Sequence, residues 1–199
     1  MSFDDLFLRA SGFGLRTSSL KLYLRIMDEI LKNLPKQAKD KYKENKKFFY
    51  NLRQKTPKDL DVVMRELHDK EFAKTDCLSC ANCCKTTGPL ITDADIARLA
   101  KHFRIKEQKF IETYLRIDED DDFVVNSLPC PFLGADNYCS IYDLRPKACA
   151  EYPHTNAKRF ERYGNLTLKN VEVCPAAFNI VEQMKQRVAL KYKGSKRDY

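Results

Sequence analysis

Apolar residues recur at helical spacing along most of this chain. Leu20, Leu24, Met27, Leu31 and Leu34 step by three and four and predict a helix over 18–34. Pro35 then punctuates the pattern at a position suited to a new first turn, and a second helix over about 36–54 places Ala38, Tyr42, Phe49 and Leu52 on one face. Thr56-Pro57 reads as an N-cap followed by proline at the first helical position, opening a third helix with Leu60, Val63, Met64 and Leu67 inward. The first 75 residues are thus expected to form an αα-hairpin plus one more helix, with the apolar stripes as core. Further on, Thr92 and Asp95 make a T-x-x-D capping box ahead of Ile96, Leu99, Ala100 and Phe103. A short helix over about 106–115 follows, carrying Phe110, Ile111, Tyr114 and Leu115. The acidic run Asp118–Asp122 reads as a solvated turn. Phe123-Val-Val and the alternating Leu166, Leu168, Val171 and Val173 are strand candidates. An amphipathic helix from Pro175, with Ala177, Phe178, Val181, Met184 and Val188, closes the pattern before a basic tail.

The expected fold class is therefore mainly α with a few short strands. A helical N-terminal arm (1–75) precedes a cysteine-rich, metal-stabilised domain (76–180), and the end of the C-terminal helix and the tail occupy 181–199. At 199 residues and 43% hydrophobic composition, the chain can bury a sizeable core. No stretch approaches the roughly 18 apolar residues of a membrane span. The acidic start Met-Ser-Phe-Asp-Asp lacks the layout of a signal peptide, which gives a cytoplasmic expectation with no membrane insertion. The six glycines fall in no G-x-G-x-x-G or Walker pattern, so the common nucleotide cradles are excluded.

Charge changes this picture in one place. The formal charge is +8, and the stretch 32–55 holds nine Lys/Arg (Lys32, Lys36, Lys39, Lys41, Lys43, Lys46, Lys47, Arg53, Lys55) against Asp40 and Glu44. With Tyr42, Phe48, Phe49 and Tyr50 interleaved, it has the ingredients of a nucleic-acid face. Lysines outnumber arginines eight to one in that stretch, however, whereas specific phosphate and base contacts use arginine, so a solvated helix with inward aromatics is preferred.

Cysteine changes it more. All eight cysteines lie between Cys77 and Cys174, in the order Cys77-x2-Cys80-x2-Cys83-Cys84, Cys130-Pro131, Cys139, Cys149 and Cys174-Pro175. Two residues between cysteines let both sulfurs turn toward one centre, and C-x2-C-x2-C opens the bacterial ferredoxin ligand set, which ends in Cys-Pro. In a reduced compartment such clusters bind metal or do redox chemistry; a disulfide framework is the competing use. Cys174, with Pro175 at N1, sits where a helix dipole favours a thiolate. Consecutive side chains are expected to diverge, so Cys83 and Cys84 are not expected to serve one metal together. One completes the local set while the other reaches a second centre or stays free. Two four-sulfur sites, or one site with four further cysteines, both remain open. Two such sites would lower the charge to about +4.

The chain resembles the CxxCxxCC, or YkgJ-like, cysteine-cluster family. The resemblance is carried by Cys77-Leu-Ser-Cys80-Ala-Asn-Cys83-Cys84, Leu90-Ile-Thr-Asp-Ala-Asp-Ile, Cys130-Pro-Phe-Leu133, Cys139-Ser-Ile-Tyr-Asp-Leu-Arg-Pro146, Cys149, Tyr152-Pro153 and Cys174-Pro175. It covers about residues 76–180, apart from the inserted stretch 154–173, and departs at Ala150, where the family usually has arginine. It implies that Cys77, Cys80, Cys83, Cys84, Cys130, Cys139, Cys149 and Cys174 chelate zinc or an iron–sulfur cluster, and the ferredoxin-like run leans toward a four-iron cluster. One branch of the family is linked to methylation of flagellin lysines, which makes an S-adenosylmethionine-dependent protein lysine methyltransferase the alternative reading. Nucleic-acid binding by the basic helix is a second alternative. No catalytic residue or protein partner is identified.

Four other residues invite chemistry. Arg145, in Asp143-Leu-Arg-Pro146, is suited either to donate to the sulfurs of an anionic centre or to anchor its loop by an ion pair. His68 and His102 are read as solvent-facing, whereas His154 is retained as a ligand or acid–base candidate. Glu151 is a candidate base.

Overall fold

The computed structural model describes residues Thr17–Gly194. Helix α1 (Thr17–Gln54) runs through Pro35 without a break. The expected hairpin of two helices is thus a single long helix. Proline costs about 3 kcal/mol inside a helix because Leu31 loses its hydrogen-bond donor. Here the apolar stripe stays in phase across it, since Leu34 and Ala38 are both 2% exposed, and burial further along the helix outweighs the local cost. Tyr42, expected on the inner face, is exposed; Asn45 takes the buried position instead. Met27 and Leu31 are half-buried, while Leu20 and Leu24 lie outside the described side chains.

The next helix, α2 (Leu60–Phe72), begins later than Thr56-Pro57 suggests. Thr56 Oγ1 donates to Leu52 O and closes α1, and Leu60 N bonds Pro57 O in an intervening turn, so Asp59 takes the N-cap position. Two one-turn helices follow, α3 (Cys77–Cys80) and α4 (Asn82–Thr86). Then come α5 (Asp93–Phe103), with the expected capping box between Thr92 and Asp95, and α6 (Glu107–Tyr114). Strands β1 (Leu115–Ile117) and β2 (Phe123–Val125) pair antiparallel in the register Leu115 to Val125, and the acidic run turns between them. Asp118 Oδ1 accepts from the backbone nitrogens of Asp120 and Asp122 there.

A 3-10 turn (Tyr142–Leu144) leads into α7 (Lys147–Glu151), and a second (Phe160–Tyr163) into α8 (Gly164–Asn170). Helix α8 corrects the strand expected over Leu166–Val173. Leu168 and Val171, three apart, face inward while Leu166 is exposed, a helical distribution that the alternating spelling concealed. Helix α9 (Pro175–Gly194) starts where proposed.

Two apolar cores result. The larger joins α1, α2, Phe160, α8 and α9, so residues before 76 share a core with residues after 160. Buried Lys185 fastens α9 to α1 through Glu44 Oε1 (2.6 Å) and Asn45 Oδ1 (2.9 Å), with Glu182 beside it. The smaller core gathers α5, α6, the hairpin, Phe132 and Ile141. Phe48 and Phe49 of the basic stretch pack on the larger core, leaving Tyr42 and Tyr50 outside. No described helix is long and apolar enough to cross a membrane.

Candidate metal centre

Cys174 packs on the larger core and Cys130 and Cys139 on the smaller, so the cysteine-bearing segments meet at a seam between the two. Asp76 Oδ1 accepts from Leu78 N and starts α3. Ala81, buried and left-handed (φ 46°), then ends α3 and starts α4 on a new axis. Four of the cysteines, Cys77, Cys80, Cys83 and Cys84, are carried on the two sides of that corner. Two remote segments are tied to it. Asn82 Nδ2 donates to Val173 O at 2.7 Å, which brings up Cys174, and Ala177 N donates to Cys174 Sγ at 3.4 Å from the first turn of α9. Cys130 N donates to Cys84 O at 2.8 Å, and the Leu133–Cys139 bridge holds Cys139 beside Cys130. Cys149 arrives on α7. Cys77 is exposed and the other seven are half-buried.

Their electrostatics are those of thiols crowded together without a cation. The Cys83 and Cys84 sulfurs are 4.0 Å apart and share a hydrogen bond, so these adjacent side chains converge where their spacing suggested that they would diverge. Their hydrogen bond pushes Cys83 up and brings Cys84 down to about 7, the latter helped by Arg145 and Lys85 against burial. Burial pushes up Cys77, Cys80, Cys130 and Cys139, and takes Cys149 and Cys174 to about 12. Neighbouring thiolates add to each shift: Cys80 and Cys77 act on Cys174, whereas Cys84, Cys130 and Cys139 act on Cys149. Such a set gives up its protons together only to a strong cation, and that donor chemistry fits zinc and iron. Among the described residues, no three ligand atoms have the spacing of a formed ion site.

Two buried polar atoms at the seam lack partners: Tyr152 Oη and Arg145 Nε. Among the described residues Arg145 makes no ion pair; its guanidinium lies 3.7 Å over the Tyr142 ring. The loop it belongs to is held instead by Arg98, which donates to Leu144 O (2.6 Å), Arg145 O (3.2 Å) and Asp95 Oδ1 (2.5 Å). Neither Arg98 nor the hydroxyl of Tyr152 stands out in the sequence, because both act through contacts far along the chain.

The histidines are placed elsewhere. His68 is not solvent-facing: it stacks on Phe72 at 4.4 Å, and its Nδ1 lies 2.8 Å from the Thr155 hydroxyl. Its face of α2 is covered by the 154–163 segment, whose backbone also donates to Asp61 from Arg159 and Phe160. His102 is exposed. His154 packs on Tyr163, with Nδ1 3.9 Å from the exposed Glu151 carboxylate.

Residues 76–174 match the CxxCxxCC family, described as "Putative zinc- or iron-chelating domain". This half of the chain belongs to that family. The matched span opens on the cap of α3 and closes on Cys174, enclosing every cysteine of the chain. Helices α1 and α2 fall outside the CxxCxxCC domain, as does α9, which begins at the next residue. No curated protein and no solved structure matches the chain significantly.

Proposed function

We propose that this protein chelates zinc or iron through Cys77, Cys80, Cys83, Cys84, Cys130, Cys139, Cys149 and Cys174. The supporting observation is that remote cysteine segments are tied to the α3–α4 corner that carries four of the thiols, Val173-Cys174 through the Asn82 side chain and Cys130 through the Cys84 carbonyl. The order Cys77-x2-Cys80-x2-Cys83 supports an iron–sulfur cluster as the finer reading, because it is the ligand order of bacterial ferredoxins. A bound cluster supplies one-electron transfer; zinc held by four thiolates is a closed structural site. The chain itself supplies the ligands, the low-dielectric seam and the Arg145 cation. Unpaired thiols in this number also favour a reducing compartment, in keeping with a cytoplasmic location.

Iron, zinc and sulfide contents of the full chain, purified without oxygen, test this reading. Iron with matching sulfide and a visible absorption is the expected result. A colourless protein with stoichiometric zinc overturns the cluster but keeps chelation, and a metal-free protein with all its thiols free overturns both.

A further inference from the structure

We infer that the outer face of α1 binds single-stranded nucleic acid without sequence preference. The inference is independent of the chelation reading.

Helix α1 is unbroken, so regular steps along its sequence place residues on one face. Leu34, Ala38, Asn45, Phe49 and Leu52 mark its buried side. Lys32, Lys36, Lys39, Lys43, Lys46, Tyr50 and Arg53 recur at alternating steps of four and three. They form one stripe on the side turned away from that core, and all seven are exposed. At 1.5 Å per residue the stripe runs about 32 Å. Among the described residues none of its six cations is in an ion pair, whereas Lys41, nearer the core, is held by Glu44 and Glu182.

A merely solvated helix would turn its aromatics inward. Phe48 and Phe49 do pack on the larger core, but Tyr42 and Tyr50 stay 40% and 66% exposed. Tyr50 lies within the stripe, and Tyr42 beside it, with Lys46 Nζ 5.9 Å from its ring centre. Exposed rings among cations offer stacking surfaces to unpaired bases while the lysines neutralise phosphates. Lysine in place of arginine argues against base-specific contacts, but it neutralises phosphates of any sequence equally well. An open groove of about 430 Å³ adjoins Tyr42, lined by Lys39, Asp40, Tyr42, Lys43 and Glu172. Its two carboxylates suit the amino edge of a base, such as that of cytosine, and would repel a lipid phosphate. A membrane is disfavoured for a second reason: the apolar side that an interfacial helix must insert is buried here against the core.

Fluorescence anisotropy of a labelled single-stranded oligodeoxycytidylate, titrated at pH 8 with the full chain as purified, tests this. Six neutralised phosphates give a slope of about −4 in log affinity against log salt, a loss of about 250-fold between 50 mM and 200 mM. Lys39→Glu, Lys43→Glu and Lys46→Glu together should abolish binding. Lys101→Glu, Lys106→Glu and Lys109→Glu together, an equal charge change at other exposed lysines, should leave most of it. Tyr50→Ala should weaken binding about 5-fold or more at an unchanged salt slope, and Tyr50→Phe should bind like the wild type. Should the first triple variant fail to fold, the single Lys43→Gln must still reduce the slope by about 0.7. Equal losses from the two triple variants, an affinity indifferent to salt, or Tyr50→Ala binding as well as Tyr50→Phe overturns the proposal. So does the absence of binding, or tighter binding to vesicles of phosphatidylcholine and phosphatidylserine in about equal parts, which would make the face a membrane contact. Chelation is read separately, from metal content, and stands or falls on that alone.

Discussion

Asp95 Oδ1 accepts a hydrogen bond of 3.2 Å from the backbone nitrogen of Lys147, joining the start of α5 to the start of α7. The same carboxylate caps α5 by exchanging bonds with Thr92 and holds Arg98, whose guanidinium grips the carbonyls of Leu144 and Arg145. A residue that reads locally as a helix cap is thus also the anchor of the loop that carries Arg145 toward the cysteines.

Asp95→Ala should therefore cost more than an exposed cap, about 2 kcal/mol or somewhat above. Burial works to raise the Asp95 pKa, but the bonds from Thr92, Arg98 and Lys147 overcome it and hold the carboxyl below the usual range. A lowered pKa means stabilisation that is complete above the unfolded value of about 3.9 and lost as pH falls through the folded one. Urea unfolding of metal-free protein between pH 6 and pH 2 should show a shallower acid limb in the variant than in the wild type.

His68 gives the pH response at a higher range. Burial lowers its pKa, with Asp69 opposing, so the folded chain prefers the neutral ring against Thr155. Its stabilisation is present above the unfolded value of about 6.5 and declines as pH drops below it. His68→Gln should flatten that decline, and Thr155→Val, which removes the partner, should cost about 1 kcal/mol at pH 8. Thermal melts of the metal-free variants at pH 8 and pH 5 measure both.

Gly164 marks the closest approach of α8 to α1. A Cβ there would meet Phe49 Cβ at 3.1 Å and Cγ at 3.3 Å. Gly164→Val should destabilise by about 2 kcal/mol through overpacking. Shrinking the neighbour should relieve it, so Phe49→Leu added to Gly164→Val should cost less than the sum of the two single changes, as a double-mutant cycle would record.

What the sequence made legible was mostly local. Eight cysteines at informative spacing, the Thr92–Asp95 box, the start of α9 at Pro175 and the strand Phe123–Val125 all follow from neighbours within a turn or a pleat. Pro35 misled because its cost is local, whereas the packing that overrides it comes from residues more than a hundred positions on. Leu166–Val173 misled because apolar residues two and three apart fit a strand and a helix alike, and only the core decides which of them is buried. Arg98, the Tyr152 hydroxyl and the His68–Thr155 contact left no periodic trace, since each joins parts of the chain that only folding brings together.

Metal removal should be felt by the thiols before anything else. The central claim is tested most directly by counting, by intact-protein mass, the cysteines alkylated under native conditions in protein purified without oxygen, before and after chelation. Protection of all eight cysteines in the loaded protein, and modification of all eight once metal is withdrawn, is the predicted result. The same number of alkylated cysteines in both samples would contradict it.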